Sequence, residues 1–414
     1  MQIYIYRLLI NIIIIFSPLI FLIRFLKKKE DLKRFKEKLT FFSKKRKVGK
    51  LVWFHAVSVG EVLSIIPLLK ILEKNKKISQ ILLTSSTLTS ANLFKQFNFS
   101  KTVHQFFPID SNFLVKRFLN YWKPHLVIFI DSEIWPNMLL NLKKRSISTI
   151  LLNARISLKS YKKWKLLNSL SNTLFQSFEL TYPQNKESEK FLRKFKVKNI
   201  KKIGNLKFAQ NDMNTKNLSK DLKLFFKSKK TWCAVSTHPG EEKISAEIHK
   251  KLLKKFKNLL LIIIPRHTYR TDEIKAELSE LKLNYHVHSN GKKISNRTNV
   301  YLVDTYGETG LFFDISKNIF MGKSFLNDGG QNPLEPARKN CNILYGPKVS
   351  NFKEIYKYLN DQKIAFKVKN PNKLYNKLNY LLDNTKKSNK GENKLKIIGD
   401  KILKKSVKEI EGFI

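Results

Sequence analysis

The chain has 414 residues, of which 42% are hydrophobic and 12% aromatic, so it can bury substantial cores and is not a wholly disordered protein. Its formal net charge of +48 would suit a nucleic-acid-binding protein. The lysines, however, are spread along the whole chain, and neither a zinc-finger spacing nor an RNP motif accompanies them. Abundant Ile, Asn and Phe accompany them, a residue usage that follows from an AT-rich genome, and this compositional explanation is preferred over nucleic-acid binding. The charge can still hold the protein against an anionic membrane surface and attract an acidic, phosphorylated substrate.

The N-terminal segment is almost continuously apolar from Ile3 to Ile23. A run of this length can span a bilayer, and residues 1–26 are predicted to form a single membrane-anchor helix. Basic residues follow the run and no small-residue cleavage site is present, which favours a retained anchor over a cleaved signal peptide. Under the positive-inside rule, the rest of the chain lies on the cytoplasmic face of the membrane.

Polar or helix-breaking residues interrupt this segment at Arg7, Asn11, Ser17 and Pro18. They allow a second arrangement, in which the segment lies in the membrane interface as a monotopic helix instead of crossing the bilayer. Both arrangements stay open at the level of sequence.

Beyond a basic connector, short apolar runs alternate with longer amphipathic stretches. The first series of runs is LVWFHAV, ILLTSS, LVIFID and STILLN, and a second begins near Trp232 with WCAVST, LLLIIIPRH, VYLVD, IFMG and CNILYG. Strands that are apolar on both faces indicate a parallel sheet covered by helices on each side. The sequence therefore predicts an α/β protein with two Rossmann-like domains.

The predicted boundaries follow composition. An N-terminal Rossmann-like domain is expected over residues 27–210, and a C-terminal one over residues 231–383. The polar, Lys-rich residues 211–230 between them are interpreted as a linker, and residues 384–414 as a helical tail that packs back on the first domain. Cys233 and Cys341 lie far apart without a CxxC motif, so both are predicted to be core thiols, and no metal ion or cofactor is expected.

In open α/β sheets, ligands bind beyond the carboxyl ends of the strands, and polar residues gather there in the first half. Glu61 follows the strand of WFHAVSVGEV and would serve either as a helix N-terminal charge or as a general base. Asp131 and Glu133 end the strand of FIDSEIWPN, where an unpaired carboxylate would be costly to bury. A bridge to Arg155 and a role in orienting an acceptor both stay open. Lys207 follows the short strand of GNLKFA at the predicted domain junction.

In the second half, four motifs suggest a nucleotide-sugar pocket: AVSTHPGEE, IPRH, DTYGETG and GGQNPLEP. Backbone amides and hydroxyls of residues 236–238 would suit a phosphate, and Arg266 could grip one bidentately. Glu335 could accept hydrogen bonds from a ribose diol. Motifs of the type GxGxxG or GxxxxGK[ST] are absent from the sequence, which disfavours a dinucleotide oxidoreductase or a P-loop NTPase.

In this order, the motifs WFHAVSVGE, DSEIWPN, LLNARIS, GNLKF, STHPGEE, IPRH, DTYGE and GGQNPLEP resemble the signature of the bacterial Kdo transferases. The resemblance extends from the N-terminal segment to about Phe352. It implies a GT-B fold, in which two Rossmann-like domains face a central cleft. It also implies a protein located at the bacterial inner membrane. It also implies metal-independent, inverting transfer of 3-deoxy-D-manno-octulosonate (Kdo) from CMP-Kdo to the lipid A precursor lipid IVA, in lipopolysaccharide core biosynthesis.

The resemblance assigns roles to particular residues. Glu61 matches the catalytic base of the family, and Glu133 and Lys207 match its transition-state-stabilising positions. The contacts to CMP-Kdo fall on Pro265, Arg266, Tyr306, Gly307, Glu308, Asn332, Pro333, Leu334 and Glu335.

Three motifs depart from the family pattern. The usual ETE is DSE here, DTMGE is DTYGE and GGHN is GGQN, so every proposed carboxylate is retained. Tyr306 is expected to reshape the nucleobase pocket, while Gln331 keeps hydrogen-bonding capacity in place of a titratable histidine.

The expected partners are the CMP-Kdo donor, the lipid A precursor and the membrane surface, and no nucleic acid. The alternative is another GT-B nucleotide-sugar enzyme such as a soluble epimerase, which shares the architecture. The apolar N-terminal segment argues against that alternative.

Overall fold

The computed structural model describes residues 1–210, 218–291, 293–384 and 391–414. The chain forms two compact units. The first comprises Met1–Asn211 together with Ile398–Ile414, and the second comprises Asp212–Ile397. Each unit is built around one parallel sheet, as the apolar runs predicted.

The sheet of the first unit has six parallel strands in the order β3-β2-β1-β4-β5-β6. The strands are β1 (Leu51–His55), β2 (Gln80–Ser85), β3 (Thr102–Phe106), β4 (Leu126–Ile130), β5 (Ser148–Ala154) and β6 (Leu180–Pro183). Alternate side chains of β1 enter different cores: Val52 and Phe54 belong to one, and Leu51 and Trp53 to the other. The sheet is therefore buried on both faces.

Helices cover both faces of this sheet. They are α3 (Val59–Leu72), α4 (Leu88–Phe94), α5 (Asn112–Trp122), α6 (Pro136–Lys144), α7 (Leu158–Lys165), α8 (Asn168–Phe175) and α9 (Lys186–Lys194). Two further helices precede them in the chain, α1 (Gln2–Ile15) and α2 (Ser17–Leu26). Ile65 of α3 packs in the core with Val52, whereas Phe118 of α5 and Met138 of α6 pack in the core with Trp53.

The N-terminal segment forms two helices where one anchor helix was predicted. Helices α1 and α2 meet at Phe16 with a bend of 59°. Pro18, in the first turn of α2, lacks the N–H that would continue α1, so a new helix starts there. Within the described ranges, no single helix is both long and apolar enough to cross a bilayer, and only the bent pair of α1 and α2 together meets that requirement.

The sheet of the second unit has seven parallel strands in the order β13-β12-β11-β7-β8-β10-β9. The strands are β7 (Lys230–Thr237), β8 (Leu259–Pro265), β9 (Tyr285–Val287), β10 (Val300–Leu302), β11 (Asn318–Met321), β12 (Asn342–Tyr345) and β13 (Ala365–Lys367). Trp232, Leu261 and Ile263 lie in its main core, and both cysteines are buried free thiols.

The remaining helices follow in chain order: α10 (Lys220–Lys227), α11 (Glu241–Leu253), α12 (Thr271–Glu280), α13 (Thr309–Ile315), α14 (Leu334–Arg338), α15 (Lys353–Asp361), α16 (Pro371–Asp383) and α17 (Gly391–Glu411). Short 3-10 helices occupy Phe35–Leu39, Leu206–Ala209, Thr268–Arg270, His288–Asn290 and Ser350–Phe352.

The predicted linker, residues 211–230, differs from expectation. Residues 211–217 lie outside the described ranges, but helix α10 occupies much of the remainder. Phe225 and Phe226 of this helix are buried, and the Phe226 ring lies 5.0 Å from that of Tyr301 on β10. Burial of these two rings outweighs the polar composition on which the linker prediction rested.

The C-terminal helix α17 reaches the first unit from Ile398 onward. Ile402 and Ile410 are buried there beside Ile65 and Leu206. A Cβ on Gly399 would lie 2.6 Å from the carbonyl oxygen of Phe208, so the helix can approach this backbone only because glycine stands at that position. The tail thus supports the segment that carries Lys207.

Candidate active site

Glu61 lies in the first turn of α3, directly beyond the carboxyl end of β1. Its backbone N–H donates to Ser58 Oγ at 3.3 Å, and the Ser58 hydroxyl in turn donates to Glu61 Oε1 at 2.7 Å. Glu61 Oε2 accepts from the backbone N–H of Val57 at 2.8 Å. The carboxylate therefore has the helix-capping role that its position in the sequence allowed.

The surroundings of Glu61 also shift its pKa into the range that suits a general base. Burial raises the pKa of the Glu61 carboxyl to about 7, and the negative charges of Asp131 and Glu133 act in the same direction, against the hydrogen bonds from Ser58 and Val57. A carboxyl group with a pKa near neutrality is well matched to accepting a proton. The two acidic neighbours come from a loop some 70 residues away, so their effect could not be deduced from the local sequence.

Asp131 is a buried carboxylate at the end of β4, and its backbone φ is 57°. The side-chain amide of Asn153 donates to Asp131 Oδ1, and Lys207 Nζ lies 3.8 Å from Asp131 Oδ2. Burial raises the pKa of Asp131, while the nearby Lys207 ammonium and the Asn153 amide oppose that rise. The predicted partner Arg155 donates its backbone N–H to the Asp131 carbonyl oxygen at 2.9 Å.

Glu133 lies two residues further along the same loop. The indole N–H of Trp135 donates to Glu133 Oε2 at 2.9 Å. His55, the last residue of β1, places its Nε2 3.6 Å from the same oxygen. The His55 ring is buried and its Nδ1 lies 2.9 Å from Thr84 Oγ1, whereas Nε2 has no hydrogen-bond partner among the described residues.

His55 is a site residue that the sequence reasoning missed. The available signal was a titratable side chain at the end of an otherwise apolar strand, three residues before Ser58 of the SVGE turn.

A network of amide side chains holds Lys207 in place. Asn153 Oδ1 accepts from Leu206 N at 3.0 Å, and Asn205 Oδ1 accepts from Lys207 N at 3.0 Å. Gln184, also missed from sequence, accepts from the Asn153 and Asn205 amides at 3.4 and 3.5 Å. The first unit therefore brings together the acidic residues 61, 131 and 133 with Lys207, drawn from three separate segments.

In the second unit, Glu241 fastens two loops at the carboxyl edge of the sheet. It is fully buried and accepts from the backbone amide of His238 at 3.1 Å. It also accepts from the amides of three consecutive residues after β11: Lys323 at 2.6 Å, Ser324 at 2.9 Å and Phe325 at 3.0 Å. The predicted use of the His238 amide as a phosphate donor is therefore wrong in this structure, because Glu241 occupies it.

The predicted donor residues after β8 and β10 lie close together. Pro265 is buried, and Arg266 is exposed with its backbone N–H bonded to the Thr237 carbonyl oxygen at 3.0 Å. Tyr306 is 68% exposed, and its hydroxyl accepts from the Thr268 amide at 3.4 Å. That hydrogen bond lowers the Tyr306 pKa, and the charge of Arg266 acts in the same direction. Gly307 adopts a φ of 84°, which favours glycine.

Glu308 is held by a histidine that the sequence reasoning did not identify. Glu308 Oε2 accepts from the Thr305 hydroxyl and lies 3.2 Å from His288 Nε2. His288 Nδ1 lies 2.6 Å from the hydroxyl of buried Tyr301. A carboxylate accepts hydrogen bonds only, so Nε2 carries the proton when the ring is neutral and Nδ1 accepts from Tyr301.

Residues 332–335 follow the glycines of GGQNPLEP. Asn332 Oδ1 accepts from Leu334 N at 3.2 Å, while Pro333 and Leu334 are buried. Glu335 is half-buried in the first turn of α14. The preceding Gln331 faces His238, with 3.5 Å between their Nε2 atoms, which links this loop to the one after β7. Within the described residues, no group of three His, Cys, Asp or Glu side chains could hold a metal ion.

Comparison with known proteins identifies the family. Residues 33–210 match the family model described as 3-Deoxy-D-manno-octulosonic-acid transferase (kdotransferase). The chain is 35% identical over 405 residues to the 3-deoxy-D-manno-octulosonic acid transferase of Rickettsia bellii, with 95% of each chain covered. It is 31% identical over 312 residues to the protein of the same name from Haemophilus influenzae, which covers 74% of this chain and 73% of that relative.

A solved structure bears on the fold. The UDP-GlcNAc 2-epimerase from Neisseria meningitidis, bound to UDP-GlcNAc, matches with a TM-score of 0.55 at 14% identity, over 86% of this chain and 100% of that chain. This likeness supports the GT-B architecture and nothing finer, so the relatives of higher identity decide the family. The chain belongs to the 3-deoxy-D-manno-octulosonic acid (Kdo) transferase family.

Proposed function

We propose that this protein transfers Kdo from CMP-Kdo to the lipid A precursor lipid IVA in lipopolysaccharide core biosynthesis. Membership of the Kdo transferase family supports the donor and the reaction class. The observation that carries the mechanism is the Glu61 carboxyl group, whose pKa is raised to about 7 by burial beside two further carboxylates. The fold is compatible with the epimerase alternative, but the solved epimerase structure is only 14% identical to this chain in sequence.

In the proposed mechanism, Glu61 removes the proton from the acceptor hydroxyl as the oxygen attacks the anomeric carbon, which inverts its configuration. The bond between that carbon and the CMP phosphate oxygen breaks, and CMP leaves with the electron pair. Lys207 and Glu133 stabilise the transition state, since preorganised charges act most strongly where charge develops. No metal ion takes part in this proposal.

The test of the function is direct incubation with CMP-Kdo and tetraacylated lipid IVA, followed by mass spectrometry of the lipid. The expected product carries at least one added Kdo, and UDP-GlcNAc in place of CMP-Kdo should yield neither transfer nor epimerisation. Absence of Kdo from the lipid, with a folded protein that binds CMP, would overturn the proposed reaction.

The acidity of Glu61 predicts a pH dependence. Because the base must be ionised to accept a proton and its pKa is about 7, we expect kcat/KM for transfer to rise as the pH increases through about 7. Measuring kcat/KM between pH 5 and pH 9 checks this. A profile that is flat across neutrality, with CMP affinity constant over the same range, would contradict the assignment of Glu61 as the base.

We also propose that the donor is held by Pro265, Arg266, Tyr306, Gly307, Glu308, Asn332, Pro333, Leu334 and Glu335. These residues follow strands of one parallel sheet at its carboxyl edge, where nucleotides bind in such folds. Arg266 is exposed and can pair with the phosphate of CMP.

Replacing Arg266 with alanine should therefore weaken CMP binding. A charge-assisted hydrogen bond contributes about 1.5–3 kcal/mol, so we expect the Kd for CMP to rise about ten- to hundredfold. Arg297→Ala, which removes another exposed arginine of the same unit, is the matched control and should leave the Kd unchanged. Isothermal calorimetry checks both variants, and equal affinities for the two would place the nucleotide elsewhere.

We further propose that α1 and α2 keep the protein on the cytoplasmic face of the bacterial inner membrane. Large apolar side chains on both helices are exposed, among them Leu8 and Leu19, and Lys27 to Lys29 follow at the end of α2. Apolar side chains partition into the acyl region while lysines favour anionic headgroups. Flotation with vesicles of phosphatidylethanolamine and phosphatidylglycerol checks this, and a protein that stays at the bottom of the gradient would contradict it.

A further inference from the structure

The two N-terminal helices α1 and α2, bent by 59° at Phe16 and called the N-terminal hairpin below, have a face turned toward the protein and a face turned away. In α1, the half-buried side chains at Ile3, Tyr6, Arg7, Ile10 and Ile14 recur with helical spacing. The opposite face is exposed and mostly apolar, although Asn11 lies on it. The arginine that interrupts the apolar segment therefore belongs to the face that contacts the rest of the first unit.

Two polar contacts fix this inner face. The Tyr6 hydroxyl donates to Asp110 Oδ2 at 2.8 Å, and Arg7 Nε donates to Asn137 Oδ1 at 2.9 Å. We call these four residues the Asp110 hub. Asp110 is 1% exposed, so its hydrogen bonds are shielded from water.

The hub continues into the loop that carries Glu133. Asp110 Oδ2 also accepts from the backbone N–H of Asn137 at 2.9 Å, and Oδ1 accepts from that of Met138 at 2.8 Å. These are first-turn amides of α6, so the carboxylate caps this helix. Helix α6 begins directly after Trp135, whose indole holds Glu133. A continuous path of short contacts thus runs from the hairpin to the candidate site.

The topology places both ends of this path at one edge of the sheet. Asp110 follows β3, Glu133 follows β4 and Glu61 follows β1, and all three strands are parallel. The part of α1 that contributes Tyr6 and Arg7 to the hub therefore lies at the carboxyl edge of the sheet, where the candidate site is also found.

We propose that the Asp110 hub holds the N-terminal hairpin rigidly at the edge of the sheet that carries Glu61, where the hairpin serves as the membrane-binding element. The hub presents this edge to the bilayer, so that an acceptor sugar meets Glu61 while its acyl chains stay in the lipid. Tyr6, Arg7 and Asp110 are in this view positioning residues, since they act through the hairpin and do not touch the reacting atoms. This inference rests on the proposed function and adds how the acceptor is delivered.

The test breaks the hub without removing the hairpin. The double variant Tyr6→Phe/Arg7→Met loses both contacts but keeps the length and apolar character of α1. Tyr4→Phe is the matched control, because Tyr4 is 69% exposed on the same helix and loses only a hydroxyl. Each protein is assayed on the lipid acceptor in phosphatidylethanolamine/phosphatidylglycerol vesicles and on a fully deacylated, water-soluble form of the same acceptor.

For the double variant, we expect kcat/KM on the vesicle acceptor to fall about tenfold or more, since misplacement of a reacting group by about 1 Å can cost on the order of a hundredfold. Turnover of the soluble acceptor, CMP affinity and vesicle flotation should match those of the control. If the hub only stabilised the fold, activity on both acceptors would fall, so a loss confined to the vesicle acceptor identifies a positioning role.

Three results would overturn the proposal: equal loss on both acceptors, no loss on either, or loss of flotation by the double variant. The first would assign the hub to the folding of the site, and the last would show that the hub is needed for membrane binding itself and not for orienting the bound protein. If the unaltered protein transfers Kdo to neither acceptor, the proposed function fails and this inference falls with it.

Discussion

Glu61→Gln is expected to reduce Kdo transfer by about 10²- to 10⁴-fold at saturating donor and acceptor, the range typical for loss of a general base. Glutamine keeps the shape of the side chain and one acceptor oxygen, so the turn after β1 can persist, but it cannot take a proton at neutral pH. CMP affinity, which we propose to depend on residues of the second unit, should be unchanged. Mass spectrometry of the lipid product measures kcat, and calorimetry measures the affinity for CMP.

Stability separates the catalytic role of Glu61 from its capping role. Folding raises the pKa of Glu61 from 4.5 to about 7, so its contribution to stability is full below pH 4.5 and is lost as the pH rises through about 7. Above neutrality, the substitution should therefore shift the melting temperature by only a few degrees, as expected for about 1 kcal/mol. Glu187→Gln, which changes another first-turn carboxylate, is the control. Near-normal turnover by a stable Glu61→Gln protein would contradict the assignment of Glu61 as the general base.

Lys207→Met is expected to have the second-largest effect, a fall in kcat on the order of 10²- to 10³-fold, comparable to removal of a preorganised electrostatic group. The substitution also removes the ammonium group beside buried Asp131, which should destabilise the fold by about 1–3 kcal/mol. Activity and stability are therefore expected to fall together, and a second substitution is needed to separate them.

The double variant Lys207→Met/Asp131→Asn provides that separation. An asparagine at position 131 carries no charge, so the stability lost by the single variant should largely return, as measured by urea unfolding. Turnover should stay low if Lys207 acts on the transition state. Lys202→Met, which removes a more exposed lysine paired with Glu189, is the control and should keep normal turnover. Recovery of activity along with stability would reduce Lys207 to a structural partner of Asp131.

The parallel sheets could be predicted because buried strands need apolar residues on both faces, and runs such as LVIFI carry that requirement in the local sequence. The positions of Glu61 and Glu133 beyond strand ends followed from the same logic. The pKa of Glu61 did not, because it depends on burial and on charges from a distant loop.

Other features missed from the sequence have the same origin. His55 and His288 are isolated histidines whose importance comes from the carboxylates that the fold brings to within 3.6 and 3.2 Å. Gln184 acts through amides from two separate segments. The bend after Phe16 was also missed, since the apolar run was interpreted as one helix even though Pro18 was noted within it.

The division of the first unit along the chain has a consequence during protein synthesis. Its sheet is encoded before residue 211, yet the helix that packs against Phe208 and Ile65 begins to contribute only at Ile398. Roughly 190 residues must be translated in between, which takes about 10–40 s at ribosomal rates of about 5–20 residues per second. Throughout that interval, the apolar surface that later receives Ile402 and Ile410 is uncovered on the nascent chain, while the hairpin has already left the ribosome. If α1 and α2 bind the membrane as proposed, the nascent chain can reach the bilayer before the segment around Lys207 is covered by α17. Chaperones would then meet a chain that is already bound to the membrane but not yet completely folded.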